Sequence, residues 1–495
     1  MKQEGICYLV GAGPGDLGLV TLKAQACVEA ADIIFYDALA NPQILEWARP
    51  EAEFVDVGKR AGAHALDQRA IEERLIQETR QGKKVVRLKG GDPFLFGRGA
   101  EEGEALKKAG CRFEVIPGIT AALAASVYAG VPLTHRELAS SVTLLTGHQD
   151  PSKAFDAIHW KELARSQSTL AIYMGVENLG RIAEQLMQAG MANDMSCALV
   201  EWATTSRQRV FFASLGELEK VAAEQRVQPP AILFVGKVCA LKEHLNWLEN
   251  KPLFGKRILL TRTRKQSSQV RMRLEAEGAE VFELPTIRIE PVAWDLKTAD
   301  DHFDWLIFTS PNGVECFFKR YLQSHDVREL AGTRIAVIGP ATADVLAAFG
   351  LRADWMPKRF TTEALAASWP GAAQKRQRAL FACGNLAKKD IERALSEKGV
   401  DVERLEVYIT TPEMRDRTAL HKRLEKEGVD WIVFASSSAV ENFHALHLKL
   451  PATCRHASFG PVTSAAMRRL GYSVDYESRT SQIDAFVQGL VQLYS

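Results

Sequence analysis

The sequence predicts an α/β protein of two halves, each built from two lobes, with parallel sheets in the second half. Three observations carry this expectation. Short apolar runs alternate with helical stretches closed by glycine. The stretch Asn250 to Gly255 interrupts that pattern before a fresh strand at Arg257. The residues after the break then repeat themselves. At 495 residues the chain exceeds what one core supports, which implies about three or four domains.

In chain order, Cys7 to Val10 reads as a strand running into Gly11-Ala12-Gly13-Pro14-Gly15-Asp16. Gly13, Gly15 and Gly18 match the dinucleotide-loop spacing, with Asp32 and Asp37 placed to reach a ribose. A nicotinamide loop opens directly into a helix, whereas Pro14, Asp16 and Gly18 make a longer, stiffer turn. Ile33 to Tyr36 and Lys84 to Leu88 are further strands, the latter leading into the loop Lys89 to Gly99, which gathers Gly90, Gly91, Asp92, Phe94 and Phe96. A helix follows and closes at Leu106 to Gly110. Pro117-Gly118-Ile119-Thr120-Ala121 sits at the mouth of an alanine-rich helix, and Leu170 to Met174 reads as another strand. Singly, each loop is ordinary turn chemistry. Together they let backbone approach a ligand closely.

Beyond the break, Arg257 to Thr261, Gly278 and Leu284 match Arg378 to Ala382, Gly399 and Leu405, all at an offset of 121 residues. Asp304 to Ser310 echoes Asp430 to Ser436, and Gly339-Pro340-Ala341-Thr342 echoes Gly460-Pro461-Val462-Thr463. Each is a strand entering a turn of small residues and then a helix. Ligands of open α/β sheets sit beyond the carboxyl ends of strands, so paired turns suggest a shared cleft. The plain alternative is that these serines and threonines cap helices.

Composition narrows the function. With 62 basic and 61 acidic side chains the net charge is +1, which disfavours a protein dominated by nucleic-acid or membrane-surface binding. The eight cysteines are scattered without a C-x-x-C pair, so neither a disulfide framework nor a zinc motif is expected, and His444 with His447 reads as a helix face. The glycine loop at Gly11 leaves no room for a secretory leader, and no run of about 18 apolar residues occurs. The expectation is a cytoplasmic protein without a bound metal.

Across residues 1 to 245 the chain closely resembles the uroporphyrinogen-III C-methyltransferases. The matching strings are Val10 to Asp16, Tyr36-Asp37, Val57 to Arg60, Lys89 to Gly99, Pro117 to Ala121, Pro132 to Arg136, Thr146 to His148 and Tyr173 to Gly175. The resemblance implies a two-lobed tetrapyrrole methyltransferase fold holding S-adenosyl-L-methionine through Pro14, Gly90, Gly91, Asp92, Leu95, Thr120, Ala121 and Met174. It also implies Ala203, where the family usually has glycine. A sulfonium and an amino-acid tail suit carbonyls, a carboxylate and a polarizable thioether. The family points to Asp37 as proton acceptor and Lys59 as proton donor. Arg98, Glu101 and Arg136 stand as substrate-binding or rival proton-handling residues, because the substrate carries eight carboxylates and guanidinium forks match them. A homodimer through this half is also implied.

Residues 253 to 495 resemble uroporphyrinogen-III synthases more diffusely, through the repeated turns, Cys383 to Leu386 and Val407-Tyr408. That family closes linear hydroxymethylbilane with inversion of the last ring, and the resemblance implies no cofactor for this step. Tyr408 is the candidate for assisting loss of the substrate hydroxyl. Ser310, Thr342, Ser436 and Thr463 are the candidates for holding substrate. The expected boundaries are 1–245 for the methyltransferase, 246–255 for a linker and 256–495 for the synthase. Within the synthase, lobe one comprises 256–286 plus 411–495, and lobe two 290–406. Two alternatives are a methyltransferase of this fold acting on RNA or protein, opposed by the near-neutral charge and the Lys89 to Gly99 string, and a second half that only binds tetrapyrrole.

Overall fold

A computed structural model of the chain describes all residues except 1–3, 59–66, 148–157, 262–263, 285–286, 296–301, 371–375, 413–417, 449, 481 and 495. The chain divides into two compact units, Met1–Leu284 with Arg415–Ser495, and Pro285–Met414.

The first unit begins with a parallel sheet of β1 (Ile6–Gly11), β2 (Ile33–Tyr36), β3 (Glu53–Asp56), β4 (Lys84–Lys89) and β5 (Arg112–Ile116), in the order β3-β2-β4-β1-β5. Both faces are covered, as the near-continuous apolar runs require. Val10, Ile34, Val86 and Leu88 enter one core cluster, while Leu9, Ile33, Phe35 and Val85 enter another on the opposite face. Period-two alternation along β4 therefore places Arg87 and Lys89 on the same face as Val85. The helix Gly99–Lys108 covers that face and ends at Gly110, which takes φ +69° while Cys111 N–H bonds back to the Leu106 carbonyl at 3.0 Å.

A second sheet holds β6 (Val142–Thr146), β7 (Thr169–Tyr173), β8 (Ser196–Glu201), β9 (Arg209–Ser214) and β10 (Ala231–Val235), in the order β6-β7-β10-β8-β9. Only β6 and β7 run parallel; the other pairs are antiparallel. The run expected to end at Met174 ends at Tyr173, because Met174 turns into the left-handed region at φ 53°. The alanine-rich helix Ala121–Tyr128 packs Ala122 and Ala125 against Ala171, Ala198 and Phe234 of this sheet.

The repeat sorts across two further sheets. β11 (Arg257–Leu260), β12 (Glu280–Glu283), β18 (Trp431–Phe434), β19 (Arg455–Ser458) and β20 (Tyr476–Glu477) form a parallel sheet in the first unit. β13 (Ile287–Pro291), β14 (Trp305–Phe308), β15 (Arg334–Val337), β16 (Gln377–Gly384) and β17 (Val400–Pro412) form the sheet of the second unit, parallel except where β13 runs against β17. Thus β11 pairs with β18 and β14 with β16, so each sheet combines strands from both repeats. No helix among the described residues is long and apolar enough to cross a membrane.

Candidate active sites

The loops after β1, β4 and β5 lie at the carboxyl ends of neighbouring strands, where open α/β sheets bind ligands. They touch through glycine. A methyl on Gly11 would lie 2.5 Å from Gly118 N, and one on Gly118 would lie 2.2 Å from the Gly91 carbonyl oxygen. Gly91 N–H donates to the Gly13 carbonyl at 2.8 Å, and Gly13 N–H donates back to Gly91 at 3.2 Å. Asp92 ties two loops, accepting Phe94 N–H at 2.9 Å and Gly118 N–H at 3.0 Å. Its carboxylate is therefore already engaged in joining the loops after β4 and β5.

The remaining cofactor candidates gather around these loops. Gly90 abuts Leu39, and Gly91 faces the backbone of Thr120 and Ala121. The Thr120 hydroxyl lies 2.7 Å from Tyr173 Oη, which also accepts Ala122 N–H at 3.0 Å, and Met174 follows directly. Leu95, Ala121 and Ala203 pack on one core cluster. The left-handed backbone falls on Trp202 and Thr204, at φ 49° and 68°, and not on Ala203, so alanine needs no glycine-like conformation. Pro14 sits between Gly13 and Gly15 in a loop held on two sides. Asn41 Nδ2 donates to the Gly15 carbonyl at 2.8 Å, and Asp16 N–H donates to Thr204 Oγ1 at 3.1 Å. Leu39, Phe94, Phe96 and Met174 leave large apolar surfaces exposed at these loops, as a site for a partly apolar ligand requires.

Asp37 follows β2 and meets a buried charge group. Arg87 Nη2 donates to Asp37 Oδ1 at 2.6 Å, and Arg87 Nε to Glu102 Oε1 at 3.1 Å. Lys89 Nζ reaches the same Glu102 oxygen at 3.0 Å. Two cations thus face two carboxylates, which makes burial of Arg87, Lys89 and Glu102 tolerable. Burial pushes the Arg87 pKa down, but Asp37 and Glu102 outweigh it and hold it above the ordinary value. For Lys89, burial and the neighbouring Arg87 prevail over Glu102, and its pKa falls below 10.5.

Other sequence candidates stand apart from this group. Arg98, in the left-handed region at φ 60°, forks onto Glu101 at 2.6 to 3.2 Å, with both side chains about half exposed. As folded they neutralise each other at the start of the helix Gly99–Lys108. Arg136 is exposed on the turn that joins His135 to Ala139. Lys59 and Arg60 lie outside the described residues.

In the second unit, Tyr408 near the end of β17 places its hydroxyl 3.1 Å from Ser310 Oγ. Ser310 also caps the helix Pro311–Tyr321 by accepting Gly313 N–H at 3.0 Å. Burial is the largest effect on Tyr408 and raises its pKa above 10, although the Ser310 hydrogen bond opposes this. Thr342 is buried in the first turn of the helix Pro340–Ala347. In the first unit, Ser436 caps the helix Ser437–Ala445, and Thr463 is buried in the first turn of the helix Pro461–Arg469. Capping thus accounts for both serines locally.

The family model described as Tetrapyrrole (Corrin/Porphyrin) Methylases matches residues 7–219, and that described as Uroporphyrinogen-III synthase HemD matches residues 268–488. The porphyrin biosynthesis protein HemD of Ruminiclostridium josui is 36% identical over 99% of this chain and 98% of its own length. The chain belongs to the tetrapyrrole methylases in its first half and to the uroporphyrinogen-III synthases in its second. The uroporphyrinogen-III C-methyltransferase of Bacillus subtilis is 39% identical over 67% of this chain and 69% of its own length. The S-adenosyl-L-methionine-dependent uroporphyrinogen III methyltransferase of Methanosarcina barkeri is 48% identical over 49% of this chain and 94% of its own length. The solved uroporphyrin-III C-methyl transferase of Thermus thermophilus complexed with S-adenyl homocysteine is 38% identical over 48% of this chain and 99% of its own, with a TM-score of 0.41.

Sequence reasoning missed several residues of the methylase half. Arg87 and Lys89 were visible at strand period, two apart in an apolar run, which signals cations facing inward. Tyr173, Asn41 and Thr204 had no such signal, because their partners are distant in sequence.

Proposed function

We propose that the synthase half cyclises hydroxymethylbilane to uroporphyrinogen III and that the methylase half then transfers two methyl groups to it from S-adenosyl-L-methionine, giving precorrin-2. The observation that carries this reading is the meeting of three loops through Gly11, Gly91 and Gly118 at the carboxyl ends of β1, β4 and β5, with exposed apolar side chains beside them. The cofactor, when bound, supplies an electrophilic methyl group. Pro14, Gly90, Gly91, Leu95, Thr120, Ala121, Met174 and Ala203 would hold it, with Asp92 fixing the loops, and close positioning supplies much of the rate. Asp37, aimed by Arg87, accepts the proton lost from the methylated ring. Lys59 is the proton donor, and Arg98 and Arg136 serve the substrate carboxylates, Arg98 after exchanging Glu101 for one of them.

In the synthase half, Tyr408 donates to the departing hydroxyl while Ser310 orients the phenol. Loss of water leaves an electrophilic azafulvene on the substrate, and the protein need only fold the chain back on itself and exclude solvent. Thr342, Ser436 and Thr463 contribute binding through their turns. The protein works in the cytoplasm, on small tetrapyrroles and not on nucleic acid, as a homodimer through the methylase half.

The test incubates the whole chain with hydroxymethylbilane, with and without S-adenosyl-L-methionine, then oxidises the products and resolves isomers and methylated species by chromatography and mass spectrometry. Isomer III without cofactor and precorrin-2 with it are expected. Isomer I alone would remove the synthase reaction and leave a binding module; isomer III that stays unmethylated would remove the methyl transfer.

A further inference from the structure

Within the first unit the methylase half is joined to the sheet of β11, β12, β18, β19 and β20 by buried polar groups. β12 is an edge strand. Glu280 and Leu284 point their N–H groups to β11, bonding to the Lys256 and Leu260 carbonyls, so the polar groups of Val281 and Glu283 point outward. Gln43 of the methylase half takes both. Its Nε2 donates to the Val281 carbonyl at 3.2 Å, and Glu283 N–H donates to its Oε1 at 3.2 Å.

Beside this clasp, one ion pair grips both supports of the Gly15–Asp16 loop. Arg423, on the helix Thr418–Glu427, donates through Nη2 to Glu280 Oε1 at 2.6 Å and through Nη1 to Asn41 Oδ1 at 3.0 Å. Asn41 holds the Gly15 carbonyl. The other oxygen of Glu280 accepts both the N–H and the hydroxyl of Ser206, two residues beyond Thr204, which holds Asp16 N–H. The arginine and glutamate side chains are 12% and 13% exposed, so water screens the pair little. Asn41 is 8% exposed and Gln43 4%, which marks a packed junction and not a loose contact.

We propose that Arg423 is a positioning residue for methyl transfer: the synthase-family lobe that carries it sets the geometry of the cofactor loop through Asn41, and so tunes cofactor affinity in the other half. This rests on the reading that the Gly11–Asp16 loop binds S-adenosyl-L-methionine. A coupling between sites is reciprocal in binding free energy, so bound cofactor also tightens the junction.

The test measures binding of S-adenosylhomocysteine to the full chain by calorimetry, together with KM and kcat for the cofactor. Arg423→Met keeps an unbranched apolar side chain beside Phe282 but removes the guanidinium that lies over its ring, together with the hydrogen bonds. It should weaken binding about fivefold or more, raise KM, and leave kcat at saturating cofactor and synthase turnover near wild type. Asn41→Ala should act similarly, and the double variant should lose clearly less than the product of the two single losses, because Arg423 acts in large part through Asn41. Should Arg423→Met fail to fold, Glu280→Gln loosens the same arginine and carries the same expectation. Wild-type binding with an unchanged variant, or losses that multiply in the double variant, would overturn the coupling. A wild-type chain that does not bind S-adenosylhomocysteine would overturn the cofactor reading itself.

Discussion

Asp37 owes its candidacy to the arginine behind it as much as to its own carboxylate. Arg87 is 3% exposed and spans Asp37 and Glu102, so it fixes the direction of the Asp37 oxygen at little entropic cost during turnover. Asp37→Asn keeps the shape but removes the base, and should lower the methyl-transfer rate about 100-fold while S-adenosylhomocysteine binding stays near wild type. Unaltered turnover would remove Asp37 from the chemistry. Tyr408 makes the opposite use of charge. Burial raises its pKa above 10, so the phenol keeps its proton, and its capacity to donate, throughout the neutral and mildly alkaline range. Tyr408→Phe should slow cyclisation about tenfold or more. The wild-type synthase profile should show no falling limb from this group below about pH 10. A limb near pH 9 that disappears in Tyr408→Phe would assign the residue an ionised role instead.

At the scale of elements, the loops were legible in the sequence because glycine is required wherever backbones meet, and that requirement is written in residue type. Gly11, Gly91 and Gly118 lie in strings that could be read before their contact was known. Gly384 shows the same logic in the synthase half: a methyl there would lie 2.5 Å from two ring carbons of Tyr408 and 2.9 Å from its hydroxyl. Gly384→Ala must therefore swing the tyrosine away from Ser310, since β16 is held by neighbours on both sides and has little freedom to retreat. The expected result is a synthase rate reduced about as far as in Tyr408→Phe, with methyl transfer unchanged. A Gly384→Ala chain with full synthase activity would show that the tyrosine does not act from this position. What the sequence could not reveal is equally physical. Asn41 and Arg423 are 382 positions apart, and Gln43 meets Val281 across 238, so no local pattern predicts either pairing. Arg98 and Glu101 show the converse, a local pairing that spacing alone predicts. Their i,i+3 spacing lets them satisfy each other.

For the whole molecule, the strands of the internal repeat are exchanged: β11 joins β18 and β14 joins β16, so neither repeat forms a sheet alone. The chain crosses between units at the two ends of residues 285–414, and the first unit consequently holds the methylase half together with the sheet containing β11 and β18. Folding of the first unit thus depends on contacts made between sequence-distant halves, and Gln43 is the simplest place to test that dependence. Gln43→Met preserves side-chain length and excludes water, but leaves the Val281 carbonyl and the Glu283 N–H without their partner. Each buried unpaired group costs about 1–3 kcal/mol. For a unit of this size that corresponds to a fall of at least about 2–4 °C in its unfolding midpoint. Residues 285–414 make no use of Gln43, so their transition should keep its midpoint while that of the first unit moves, giving a widened or split calorimetric trace. A single trace displaced as a whole would mean that the two units unfold together, and an unmoved trace that water replaces the glutamine at the β12 edge.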